Sequence, residues 1–146
     1  MSQHDRLQLA KSAPEAMKGL VAVESVLAAG PLDAGLRHLV KLRVSQINGC
    51  AHCVDMHLRE ARQDGESQPR LDRLVVWRNV EDFTPAERAA LAWAEALTTR
   101  LGEDLDSLHA ALSEHFGAEE IAALTASVTM INGWNRLMVA SLHARF

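Results

Sequence analysis

No tyrosine occurs in this chain, aromatic residues make up only 4%, and two cysteines are the only thiols among 146 residues. Sheet proteins lean on aromatic and β-branched residues, so a chain without Tyr and with modest Val and Ile content argues against a β architecture. Only 8 Gly and 4 Pro punctuate it, while 48% of its residues are hydrophobic and 23% charged, a composition that suits a globular helical protein. A basic stripe is missing too: the net charge is −4 with a pI near 5.9, which argues against a nucleic-acid partner. Long apolar runs are also absent. The longest near the start, residues 19–30, is interrupted by Glu24 and is far too short to span a bilayer. The first residues are polar and mixed in charge, unlike a signal segment. Together these absences lead to the expectation of a soluble, cytoplasmic protein with no membrane partner.

What is present reads as helix from end to end. A length of 146 residues suits a single domain, 1–146, with its own core. Ser12-Ala13-Pro14-Glu15 has the form of a capping box with proline near the first turn, and Gly30-Pro31 closes the helix that follows. Asp33 is placed to cap a second helix, whose apolar positions Leu36, Leu39, Val40, Val44 and Ile47 keep helical spacing up to Asn48-Gly49. Further helices are expected over residues 50–63, 68–77, 85–100, 104–116 and 118–145. The helix over residues 85–100 opens on a second capping box, Thr84-Pro85-Ala86-Glu87. No segment alternates with period two. In the final helix Ile121, Leu124, Val128, Ile131, Trp134, Leu137, Met138 and Leu142 surround most of the circumference, as in a central helix or one covered by a partner chain.

Both cysteines fall in Cys50-Ala51-His52-Cys53-Val54-Asp55-Met56-His57, immediately after the Asn48-Gly49 break. Cys50 therefore sits at a helix start, where free backbone N–H groups and the helix dipole favour a thiolate. Cys50, Cys53 and His57 share one helical face. Two thiols one turn apart can close a disulfide, and His57 can take up or return a proton. Two bland readings compete: an inert buried pair, and a zinc site built from Cys50, Cys53, His57 and a fourth group. Nothing in the chain supplies a second C-x-x-C or H-x-x-x-H to complete such a site, so no metal and no cofactor are expected. A lone C-x-x-C in a reducing compartment points instead to redox work.

The second helix and the cysteine helix should form an antiparallel hairpin about Gly49. At 1.5 Å per residue, His38 lies roughly 16 Å from the turn on one arm and His57 roughly 12 Å on the other. That brings His38 within about a turn of the level of His57, on a stripe with Leu42 and Ser45 rather than on the main apolar face. It can serve as a second proton carrier or simply be a surface histidine.

The stretch Lys41-Leu42-Arg43-Val44-Ser45-Gln46-Ile47-Asn48-Gly49-Cys50-Ala51-His52-Cys53-Val54-Asp55-Met56-His57 resembles the signature of the carboxymuconolactone decarboxylase superfamily, in its alkylhydroperoxidase D-like branch. Residues 83–98, beginning Phe83-Thr84-Pro85, and Asn132-Gly133-Trp134-Asn135-Arg136-Leu137 are similar to that branch as well. The resemblance implies an all-α fold, assembly into trimers or, preferentially, hexamers, and thiol peroxidase chemistry. It also implies that Cys53 attacks the peroxide, that Cys50 resolves the sulfenic acid to a disulfide, and that His57 and a glutamate twelve residues before the first cysteine relay the proton. His52 matches the residue between the cysteines. The glutamate is replaced here by His38. The decarboxylase branch lacks the dithiol, which argues against lactone decarboxylation.

The expectation is thus a thiol-dependent hydroperoxide reductase acting on a hydroperoxide substrate. Its disulfide is reduced by an external dithiol, protein or lipoyl-type, that reaches Cys50 at the exposed helix start. A redox-sensing or stress-related interaction protein with little turnover is the alternative.

Overall fold

The structure, a computed structural model, describes residues 5–99 and 104–141. Every regular element among them is helical: α1 (Leu9–Ser12), α2 (Pro14–Ala28), α3 (Ala34–Asn48), α4 (Ala51–Gln63), α5 (Gln68–Arg73), a 3-10 segment (Leu74–Asn79), α6 (Pro85–Thr99), α7 (Leu105–Ser113) and α8 (Ala118–Ser141). The all-α expectation is met. None of these helices is long and apolar enough to cross a membrane.

Several expected boundaries hold for the expected reason. The Asp33 carboxylate accepts the Leu36 N–H and starts α3. Thr84 Oγ1 accepts the Glu87 N–H while Glu87 accepts the Thr84 N–H, the reciprocal pair of a capping box. The expectation at Ser12 fails. Residues 9–12 form a turn of their own, which draws Ser12 into α1 and leaves Ala13, without a side-chain cap, at the start of α2. Pro14 at the first position removes one of the N–H groups left open at a helix start, so fewer need a partner there.

Other elements end earlier than expected. The helix expected over residues 68–77 breaks into α5 and the 3-10 segment, with Val76 outside helical geometry (φ −117°, ψ 25°). A tertiary bond competes with helix continuity at that break: the Trp77 indole N–H reaches Glu95 on α6 at 2.8 Å. The helix expected over 104–116 stops at Ser113, where the His115 and Phe116 N–H groups both converge on the Leu112 carbonyl. Arg100 and the end of the last expected helix lie outside the described residues.

The core gathers Leu39, Val40, Leu42 and Val44 of α3, Leu91 and Ala94 of α6, Leu112 of α7, and Leu124, Val128 and Ile131 of α8. Burying side chains of this size contributes about 1.5–3 kcal/mol each, which holds α8 at the centre of the bundle. That helix packs against α2, α3, α4, α6 and α7. It is not covered all round, because Val139 is 47% exposed.

Two buried polar knots fix the register. Glu95, 4% exposed, accepts from Trp77 Nε1 and Arg43 Nε, both at 2.8 Å, and from Arg78. Burial raises the Glu95 carboxyl, but these donors outweigh it and hold the group below the usual carboxylate value. The second knot ties α8 to the end of α3. The Asn135 side chain accepts from Asn48 Nδ2 at 2.9 Å and donates to Ser45 Oγ at 3.0 Å, while Asn132 accepts from the same Asn48 nitrogen at 3.0 Å. Because the Ser45 carbonyl also accepts the Cys50 N–H, at 3.1 Å, this knot sets where the cysteine helix begins.

Candidate active site

Gly49 turns the chain from α3 into α4 with φ +67°, a left-handed conformation that glycine adopts at no steric cost. Cys50 follows as the N-cap of α4, its sulfur accepting the Cys53 N–H at 3.3 Å, and the two cysteines are joined as a disulfide. The dithiol at a helix start is therefore present as expected. One expectation about it needs correction. Cys50 is not exposed: both cysteines are 1% accessible, because the Asn48–Asn132–Asn135 knot presses α8 over the turn. In the competing zinc set the two sulfurs are bonded to each other, so in this state neither is a thiolate ligand.

The two sulfurs are not equivalent. Cys53 lines a cavity of about 320 Å³, and Cys50 does not. The wall is largely apolar, formed by Met56 of α4 and Ile131, Trp134 and Met138 of α8. The polar lining comes from His52, His57, Glu60, Glu24 and Lys41. Lys41, 7% exposed, is paired with Glu24 of α2, whose other oxygen accepts the Trp134 indole N–H at 3.0 Å.

His57 lies one helical turn beyond Cys53, and helical side chains lean toward the N-terminus, so its ring stands over the cysteine's turn. It is 3% exposed; its Nδ1 meets Glu60 Oε2 at 3.0 Å, and its Nε2 is buried with no partner. A carboxylate can only accept, so the proton sits on Nδ1 and the Nε2 lone pair is free. Burial pushes His57 below its ordinary value, Lys41 and His38 add to that, and Glu60 opposes it; the net is a histidine neutral at pH 7.

His38 stands on the facing helix at the level expected. Its Nε2 donates to Asp64 Oδ2 at 2.6 Å, and its Nδ1 lies 3.6 Å from Glu60 Oε2. The stripe it was assigned to is not peripheral: Leu42 and Ser45 are fully buried, and the His38 side chain is 12% exposed. His52 is exposed at the mouth of the cavity it helps to line.

Four site residues went unrecognised in the sequence: Glu60, Asp64, Lys41 and Glu24. Spacing could have revealed the first two, since Cys53, His57, Glu60 and Asp64 follow one face of α4 at i, i+4, i+7 and i+11. Glu24 was visible as the charge interrupting an apolar stretch.

Comparisons with known proteins agree with this geometry. The profile of the Carboxymuconolactone decarboxylase family matches residues 14–96. The uncharacterised Bacillus subtilis (strain 168) protein YdfG is 36% identical over 141 residues, 96% of this chain and 95% of its own. An Agrobacterium tumefaciens crystal structure of a protein of unknown function, assigned provisionally to antioxidant defence as AhpD, superposes with a TM-score of 0.89 at 40% identity, over 94% of each chain. The alkylhydroperoxidase AhpD core of an uncharacterised peroxidase-related protein from Ralstonia eutropha JMP134 gives a TM-score of 0.81 at 25% identity, covering 92% of this chain and 72% of that one. This chain belongs to the carboxymuconolactone decarboxylase family, in its alkylhydroperoxidase D-like branch.

Proposed function

We propose that the protein is a thiol-dependent hydroperoxide reductase with an antioxidant role. The observation that carries this reading is the asymmetry of the dithiol: Cys53 opens onto an apolar cavity beside a neutral histidine with a free ring nitrogen, and Cys50 sits behind it. In the reduced protein His57 Nε2 accepts the Cys53 proton. The thiolate then attacks the O–O bond, giving a sulfenic acid on Cys53 and an alkoxide that leaves as the alcohol with the proton from His57. Cys50 attacks the sulfenic sulfur, water departs, and the Cys50–Cys53 disulfide forms. One hydroperoxide and two thiols thus yield one alcohol, one water and one disulfide. An external dithiol returns the disulfide to two thiols by exchange. With Cys50 buried, that donor comes through the cavity to Cys53, which favours a slender lipoyl-type dithiol over a recessed protein thiol.

The family glutamate is absent at position 38, and its carboxylate function falls to Glu60, which holds the His57 tautomer. His38, hydrogen-bonded to Asp64, stands 3.6 Å from Glu60 Oε2, beyond direct hydrogen-bond reach, and serves as a second proton carrier beside the His57–Glu60 pair. His52, exposed at the cavity, is a further proton-carrying contact for substrate. The apolar wall suits an organic hydroperoxide. The same reading places the enzyme in the reducing cytoplasm and assembles it as a homo-oligomer, a hexamer in preference to a trimer. In support, α2 buries only Leu27 and leaves Val21, Val23 and Val26 exposed at 54%, 42% and 71%. Light scattering at the mass of one chain refutes the assembly.

Peroxide consumption with a panel of dithiol donors tests the activity. Cys53→Ser should abolish turnover, whereas Cys50→Ser should perform one attack and retain a sulfenic acid on Cys53 that dimedone labels. Turnover in Cys53→Ser with label on Cys50 would reverse the roles. No consumption by the wild type with any donor would leave the redox-sensing reading instead.

A further inference from the structure

His38, His57 and Glu60 each bring one donor atom to within 4.8 Å of the others. Glu60 Oε2 is 3.0 Å from His57 Nδ1 and 3.6 Å from His38 Nδ1. A tetrahedral zinc-class ion, with bonds of about 2.1 Å, spreads its ligand atoms about 3.4 Å apart; all three donor atoms lie within 4.8 Å of one another, and the two separations to Glu60 bracket that spacing. The longer one is also too long for a hydrogen bond. A proton on His38 Nδ1 would leave that gap unbridged, whereas an ion between the two atoms would close it.

A second observation points the same way. Asp64 takes the Nε2 proton of His38 at 2.6 Å, which leaves a lone pair on Nδ1, and that atom is buried without a partner. A carboxylate holding the far nitrogen of an imidazole is the usual outer support of a metal-bound histidine. On its other side, His57 is itself more than nine-tenths buried. A cleft lined by Arg37, His38, Lys41 and Glu60 gives an ion access from solvent. The cation facing the cluster, Lys41, is offset by its pairing with Glu24.

We propose that His38 Nδ1, His57 Nδ1 and Glu60 Oε2 form a three-ligand site for a divalent transition-metal ion of the zinc or cobalt class. Two imidazoles and one carboxylate select such ions over magnesium or calcium. Binding displaces the His57 Nδ1 proton, and the metal-bound imidazole then carries its proton on Nε2. If His57 acts as the base proposed above, the loaded protein is held in an inactive form; ion binding itself does not depend on that reading.

The test uses the oxidised protein, whose disulfide removes both sulfurs as ligands. Co²⁺ is titrated with the visible d–d bands as readout, and Zn²⁺ by calorimetry. One ion per chain is expected. His38→Ala and Glu60→Gln should each weaken binding by roughly 10- to 100-fold, and Asp64→Ala, which removes only the outer support, by about tenfold. His115→Ala, an exposed histidine elsewhere, should bind as the wild type does. Circular dichroism confirms folding; Glu60, at 42% side-chain exposure, tolerates change if His38→Ala does not fold. Absence of binding at millimolar free ion, or binding that persists unchanged in His38→Ala and Glu60→Gln, overturns the proposal. A chain that consumes no peroxide yet binds one Co²⁺ through these residues leaves the site standing and ends the activity reading alone.

Discussion

Removing Glu60 probes the link between structure and chemistry most directly. Its Oε2 accepts the His57 Nδ1 proton at 3.0 Å, which keeps the opposite nitrogen unprotonated and available to Cys53. Glu60→Ala removes the acceptor and the charge; Glu60→Gln keeps an acceptor and loses the charge. A charge-assisted hydrogen bond is worth about 1.5–3 kcal/mol and a neutral one about 0.5–1.5 kcal/mol. At about 1.4 kcal/mol per decade, Ala should lower kcat/KM by roughly 10- to 100-fold and Gln by roughly fivefold to tenfold. Solvent around the Glu60 side chain, 42% exposed, favours the lower half of both ranges. Because Glu60 raises the His57 value against burial, both variants should also move the acid limb of the rate profile to lower pH. The assay is hydroperoxide-dependent dithiol oxidation in the presence of a chelator, with the pH dependence of Cys53 alkylation measured in a Cys50→Ser background. Rates and alkylation profiles for Glu60→Ala within twofold of the wild type would show that Glu60 does not hold His57 for catalysis.

Other outcomes follow from the same geometry. The ordinary His57 value of 6.5 is lowered in the fold. The unfolded chain therefore takes up its proton first, and stability should decline as pH falls below 6.5 toward the lowered value. The urea midpoint should drop across that window in the wild type and drop less in His57→Gln; an equal drop in both would remove His57 as the cause. His38→Ala should slow turnover, whereas His38→Glu, which restores the family residue, should keep or raise it; identical rates and pH profiles for all three would reduce His38 to a helix-surface residue. Gly49→Ala should cost about 1–2 kcal/mol of stability from its positive φ alone, because a Cβ there meets nothing within 4 Å. A thermal melt unchanged by that substitution would refute the assignment.

Local rules were enough for the helical class, for the hairpin at Asn48-Gly49 and for the two caps at Asp33 and Thr84, because each depends on residues only a few positions apart. The C-x-x-C at a helix start and the closeness of His38 to His57 were legible for the same reason: helical rise and a glycine turn fix both. Local rules failed where a distant partner intervened. Val76 leaves helical geometry where its neighbour Trp77 reaches Glu95, eighteen residues beyond that tryptophan, and Ser12 joins a turn that no capping motif announces. The buried state of Cys50 also depends on packing, since α8 covers the turn through Asn132 and Asn135. So does the role of Glu60, whose oxygen meets two histidines from two helices only once α3 and α4 are antiparallel. The sequence by itself determined which groups lie on one helix face and in what order. Tertiary structure decided which sulfur opens onto the cavity, which ring nitrogen stays free and which carboxylate stands between the histidines, because burial and charge at a site depend on every element packed around it.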